Sequence, residues 1–355
     1  MHKSVAMFLR ATATRRMPER IAEKVLSKQT EFPVQPFGLL QLRVSDCSPK
    51  IVALDHTKYP DSDRVVVSHC SGCFVEKHQV DFIPTKGNDS RVVSLSCTNG
   101  EHAEYCGCTI QIPNHLALDI SANGDADVKI TGVEPTECHI SSEYSSVHLH
   151  KVKTKKASIF ANNGSVEVTG NLTGNVSIKT GVAGFVRADR LQGSVVKIDT
   201  FEGPINCKAI YGDTVQLSSR HGNITANNIQ GQDVNIWSTH GNVDIGSIEG
   251  DLSASLGHGN LSANVARTGN LKVECLKGNV RLGLDSSVRG DLKLESPYPV
   301  DSENVSMDSK QEIAPGETET AEINVVTREG RISLRQMNWI DTVQRNNQQE
   351  KRSAI

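Results

Sequence analysis

The sequence predicts an all-β chain wound into a single parallel β-solenoid, a rod of stacked coils of about 19 residues each. Three observations predict it. Thirteen glycines from Gly164 to Gly278 recur at steps of nine or ten residues, and most are followed by Asn, Asp or Ser and then Val, Ile or Leu. Between them apolar residues alternate with Ser, Asn, Asp and Thr, as in Leu252, Ala254 and Leu256, the period-two pattern of a half-buried strand. Finally, His221-Gly222-Asn223, His240-Gly241-Asn242 and His258-Gly259-Asn260 fall on every second glycine of the series, whereas the alternate turns at Gly193, Gly212, Gly231, Gly250 and Gly269 are flanked differently. Two kinds of corner in each repeat describe one coil. A single strand-and-turn unit cannot bury its own apolar side, so coils must stack.

Taken in chain order, residues 1–30 read as a targeting presequence. Seven Lys/Arg face only Glu19 and Glu23 over residues 1–28, and Val5, Phe8, Leu9, Met17, Ile21 and Val25 form apolar stripes at helical spacing. A secretory signal would need a longer apolar block, so the expected address is mitochondrial, with the cytoplasm as the alternative. Seven Asn-x-Ser/Thr triplets, at Asn88, Asn163, Asn171, Asn175, Asn223, Asn260 and Asn304, mostly follow from the turn repeat and are not read as glycosylation sites. Residues 35–115 break the glycine period and read as an irregular β cap hiding the first edge. Residues 116–295 form the repeat domain; with its flanks it predicts about eleven coils, a rod of about 55 Å at a rise of ~4.8 Å. Residues 296–322, with Pro297, Pro299, Pro315 and seven acids against Lys310, read as an acidic insertion. Residues 323–335 read as closing strands, and 336–355 as a polar tail expected to be partly disordered.

The run of Gly-[Asn/Ser/Asp]-[Val/Ile/Leu] turns over residues 116–295 resembles the bacterial family known as "putative adhesin". It resembles more closely that family's animal members, which carry a presequence-like N-terminus. The resemblance implies a β-solenoid and supplies no catalytic residues.

Composition narrows the function. Charge is nearly balanced, 38 basic against 41 acidic residues, which disfavours a nucleic-acid surface. No apolar run is long enough to span a bilayer as a helix. Aromatics are 4% of the chain, so the core must be aliphatic and a sugar cleft lined with stacking rings is disfavoured. Phosphate-loop, nucleophile-elbow and His-Glu-x-x-His motifs are missing.

Two clusters carry candidate chemistry. Cys70, Cys73, Cys106 and Cys108, with Cys97, His69 and His102 nearby, have spacings that could hold zinc in the cap, although Cys-x-Cys is an unusual second half; buried thiols or a redox pair are the other readings. His221, His240 and His258 fall one per coil on one edge, beside the turn residues Gly222, Gly241, Gly259, Asn223, Asn242 and Asn260. A stacked polar ladder is the simpler reading of that column, and a metal site the sharper one. The sequence therefore points to a non-enzymatic scaffold with an unidentified protein partner, no nucleic acid, no membrane span and no cofactor. A hydrolase or lyase acting on an elongated polymer, or a zinc-stabilised scaffold, are the alternatives.

Overall fold

A computed structural model describes residues 29–337, except 36, 46–47, 70–76, 86–87, 97–106, 125–126, 268, 286–287, 289 and 304–320. Residues 1–28 of the expected presequence, most of the acidic insertion, the polar tail beyond Met337 and Cys70, Cys73, Cys97, His102 and Cys106 therefore lie outside the described residues.

Every regular element described is a β-strand. Strands stack in parallel, each coil contributing one strand to each of two facing sheets. On the first sheet Glu137–Ser142 pairs with the second half of Val147–Ala161, which pairs with the second half of Val166–Thr180, then with Val195–Thr200 and Thr214–Ser219. On the second, Val128–Thr131 is followed by the first halves of those long strands, then by Val186–Gln192 and Ile205–Tyr211. Two corners per coil reproduce the two alternating kinds of turn read from the sequence.

Alternation fills each interior column with small or aliphatic side chains. Ile140, Ile159, Ile178, Ile198, Leu217 and Ile236 are stacked partner on partner and buried. Val147, Val166, Val186, Ile205, Ile224 and Val243 form the facing column. β-Branched side chains suit this pleated, two-sheet interior, and each buried one stabilises by about 1.5–3 kcal/mol. The narrow space between the sheets accepts aliphatics, which is the physical reason for so few aromatics. Cys207 sits between Ala188 and Ala226 in such a column, and Cys138 beside Leu118 and Ala157. Burial pushes both thiols up to about 12, so they are packing groups.

The ends differ from the sequence expectation. The parallel stack does not begin at residue 116. Leu39–Ser45 is already a solenoid strand, held between Asn88–Ser96 and Ala117–Asn123. Its coil partner Ser48–Ala53 lies between Gly107–Ile112 and Val128–Thr131. The coil formed by residues 88–112 thus lies outside the coil formed by residues 39–53, although it comes later in the chain. Beyond it the cap is antiparallel: Lys77–Thr85 covers the first sheet, while Arg64–His69 and then Gln29–Pro33 cover the second. Reversed strands cannot accept a further coil in register, which blocks edge-to-edge growth.

The C-terminal end repeats the device. Ala321–Glu329 inserts between Leu271–Lys277 and Gly290–Glu295, and Ile332–Met337 between Val280–Asp285 and Asp301–Glu303. The strands expected to close the rod over 323–335 are therefore its penultimate coil, and residues 290–303 form the last. That edge carries exposed Asp291, Lys293 and Glu295, with Lys293 paired to Glu295 at 3.8 Å. Charges on an edge strand oppose further pairing. Among the described residues thirteen coils result where the repeat alone predicted about eleven, because two lie in the segment before residue 116, which lacks the glycine period.

Candidate interaction face and corner ladders

One corner of the coil is a stack of glycines: Gly164, Gly184, Gly203, Gly222, Gly241, Gly259, Gly278 and Gly330. At each, a Cβ would overlap the backbone oxygen of the coil below; at Gly241 the obstructing atom is the Gly222 carbonyl oxygen. Gly241 also has φ of 154°, a backbone conformation L side chains rarely adopt. Close backbone approach and dihedral together exclude a side chain there.

Asparagines bind the coils across this corner. The Asn223 side-chain oxygen accepts from the Asn242 amide at 2.8 Å, Asn242 from the Asn260 amide at 2.9 Å, and Asn260 from the Asn279 amide at 2.9 Å. Asn279 accepts in turn from the Arg331 amide at 3.0 Å, joining the out-of-order coil to the array. Each side chain thereby satisfies a corner amide that the sheet ladder leaves without a partner. The opposite corner has a shorter version, Asp251 accepting from Asn270 and Asn270 from Glu322.

The histidines precede these glycines. His221 and His240 stack with ring centroids 5.1 Å apart and planes at 18°, and His240 and His258 at 4.9 Å and 4°. Phe201 meets His221 edge-on at 5.9 Å, ending the column on one side. On the other, Lys277 follows His258 and pairs with Glu329 at 3.5 Å. All three histidines are exposed.

Inside the same corner is a ladder the sequence reading missed. Thr180, Thr200, Ser219 and Ser238 are buried one above another. The Ser219 hydroxyl accepts from the Gly222 amide at 2.9 Å, Thr180 donates to the Gly184 carbonyl at 2.9 Å, and Ser238 donates to the Gly241 carbonyl at 3.4 Å. The signal was present as Ser or Thr three residues before the corner glycine, in Ser219-Arg220-His221-Gly222 and Ser238-Thr239-His240-Gly241.

The chain is similar to the Toastrack DUF4097 family over residues 171–335. Among solved structures it is similar to a "putative adhesin" from Parabacteroides merdae, with 10% identity, TM-score 0.38 and coverage of 88% of this chain and 96% of that one. A "putative adhesin" from Parabacteroides distasonis gives 12% identity, TM-score 0.36 and coverage of 88% and 97%. Likenesses this distant leave function to be argued from the residues of this chain.

Of the cysteines suggested as zinc ligands, Cys108 is within the described residues, and it is buried in the main core with Ile110 and Ile112. Among the described residues no group of three His, Cys, Asp or Glu could hold a metal ion. No helix among them is long and apolar enough to cross a membrane.

Among the exposed large apolar side chains, which also include Tyr144, Val182 and Val195, four recur along the first sheet and its adjoining corner. Phe160, Phe201, Trp237 and Leu276 are exposed by 38%, 37%, 44% and 53% and occur on every second coil, Phe160 and Trp237 in one register column of the sheet and Phe201 and Leu276 two positions further on, at the corner. At two coils per step they are spaced ~10 Å apart along the rod. Between them lie Ser218, Ser255 and the Lys179–Asp199 ion pair at 3.8 Å. Arg220 lies over the Phe201 ring at 4.7 Å.

Proposed function

We propose that the protein is a non-enzymatic scaffold that offers the outer face of its first sheet and the adjoining corner to a protein partner, with Phe160, Phe201, Trp237 and Leu276 as anchors. The spaced apolar stripe carries this reading. Large side chains separated by small polar ones match the anchor-and-rim composition of protein interfaces, and a sheet held in register by ladders presents them with little ordering cost on binding. No catalytic motif was found in the sequence. The basic, acid-poor residues 1–28 support a mitochondrial address for this scaffold.

The test combines address and face. Proximity labelling with the full chain should mark one partner inside mitochondria, and Phe201→Ser with Trp237→Ser should lose that partner while melting like wild type. Unchanged recovery with the double variant would overturn the assigned face. A fluorescent protein carrying residues 1–35 should enter mitochondria; cytosolic fluorescence would overturn the address alone.

A further inference from the structure

We infer that the His221–His240–His258 column is a surface binding site for a late first-row divalent transition-metal ion, held by two neighbouring imidazoles and completed by water. The backbone spacing suits such a pair: His240 and His258 are register partners on adjacent coils, and His221 stacks on His240 from the coil on the other side. Two nitrogens sharing one ion at about 2.0–2.1 Å each lie at most about 4.2 Å apart. The ring centroids stand 5.1 and 4.9 Å apart with the planes nearly parallel, so their in-plane nitrogen lone pairs run side by side, and both rings swing out of the stack for two nitrogens to converge on one ion. The histidines are exposed and can lean without disturbing the core.

The backbone beneath them cannot slip. The His221 amide donates to the Phe201 carbonyl at 3.0 Å, and the His240 amide to the Arg220 carbonyl at 2.8 Å. The glycine and asparagine ladders lock the next two positions of each coil. Preorganisation of this kind lowers the cost of bringing two ligands to one ion. No hydrogen bond to another described residue occupies the ring nitrogens of these three histidines. Neutral imidazole is a preferred donor for Cu²⁺, Ni²⁺ and Zn²⁺, with Cu²⁺ bound most tightly. At one end Lys277 is drawn to Glu329, and at the other the Phe201 ring closes the stack, so the site comprises two overlapping pairs that share His240.

That sharing makes the test specific. Cu²⁺ is titrated into the full chain and followed by calorimetry and by electron paramagnetic resonance, which reports nitrogen donors and separates them from cysteine sulfur. Wild type should bind one Cu²⁺ through two nitrogens. His240→Ala leaves rings two coils apart, too far to share an ion, and should weaken binding by ~30-fold or more. His221→Ala or His258→Ala leaves one intact pair and should weaken it by only about twofold, the loss of one of two alternatives. All three variants should melt like wild type without metal. Equal Cu²⁺ affinity in wild type and His240→Ala would overturn the site, as would end variants that lose binding as fully as the middle one.

Discussion

The middle coils and the end coils are built from the same strand and corner, yet they are assembled differently. From residue 117 to 285 each coil stacks on the one just before it in the chain. At the ends the order is permuted: residues 39–53 lie inside 88–112, and 321–337 inside 290–303. Asn279 contacts Arg331 across 52 residues, where Asn260 contacts Asn279 across 19. The difference teaches that corner and column residues determine what a coil is without determining which coil is its neighbour. Longer closures cost more entropy and form later, so the middle is expected to fold first and the ends to lock onto it.

The largest expected effect falls on the middle. Gly241→Val drives a β-branched side chain into the Gly222 carbonyl oxygen at a φ of 154°, and should destabilise by about 3 kcal/mol or more in denaturant titration. Gly330→Val makes the same clash with Gly278 but in an inserted end coil. It should loosen the last two coils while the middle keeps its midpoint. Equal global loss from both would mean that the array unfolds as one unit and that the contrast between regions is only topological.

Next come the columns. Ile198→Ala, fully buried in the middle, should cost about 2–5 kcal/mol. Leu292→Ala, half-buried on the terminal strand, should cost about 1 kcal/mol and be visible chiefly as faster amide exchange in residues 290–303. Protection factors that are uniform along the chain would remove the distinction.

The inner hydroxyl ladder gives a smaller effect. Ser219→Ala leaves the Gly222 amide without its acceptor in a buried corner and should cost about 1–2 kcal/mol by thermal melting. His240→Ala, exposed on the outer side of the same corner, should cost under ~1 kcal/mol in metal-free buffer. A reversal of these two would put the corner's strength outside the core.

The smallest effect is on the cap. Hydrogen bonds from the Tyr59 hydroxyl, at 2.6 Å, and from Arg64 hold the Glu31 carboxyl below its usual 4.5. A depressed folded pKa contributes stability above the unfolded value, and that stability is lost as pH falls through the folded one. Cap exchange should therefore accelerate on acidification below about pH 4.5 in wild type and lose that step in Glu31→Gln. An acid step of equal size in the variant would exclude Glu31 as its source.

Much of the candidate site was legible. Repeated His-Gly-Asn shows three imidazoles in one column, and the glycine recurrence implies coils in contact. The inner hydroxyls were overlooked because Ser and Thr elsewhere mark outward strand positions, although the alternation through Val215 and Leu217 turns Ser219 inward and that through Val234 and Ile236 turns Ser238 inward. The anchor stripe was not readable as a stripe. Phe160, Phe201, Trp237 and Leu276 are widely separated in the sequence and become neighbours only through stacking two coils per step.

By itself the sequence determined the coil: its length, its two corners, its aliphatic interior and the residues that cap its amides. These are local properties, set by period-two alternation and by glycines where no Cβ fits. The tertiary structure alone decided the order of the end coils and the closing of the first edge by reversed strands. Alternation states which way a side chain points but not which strand lies beside it, and coils with near-identical interiors can stack in many orders. The choice is made by loop closure and by the whole set of register contacts, which no single segment contains.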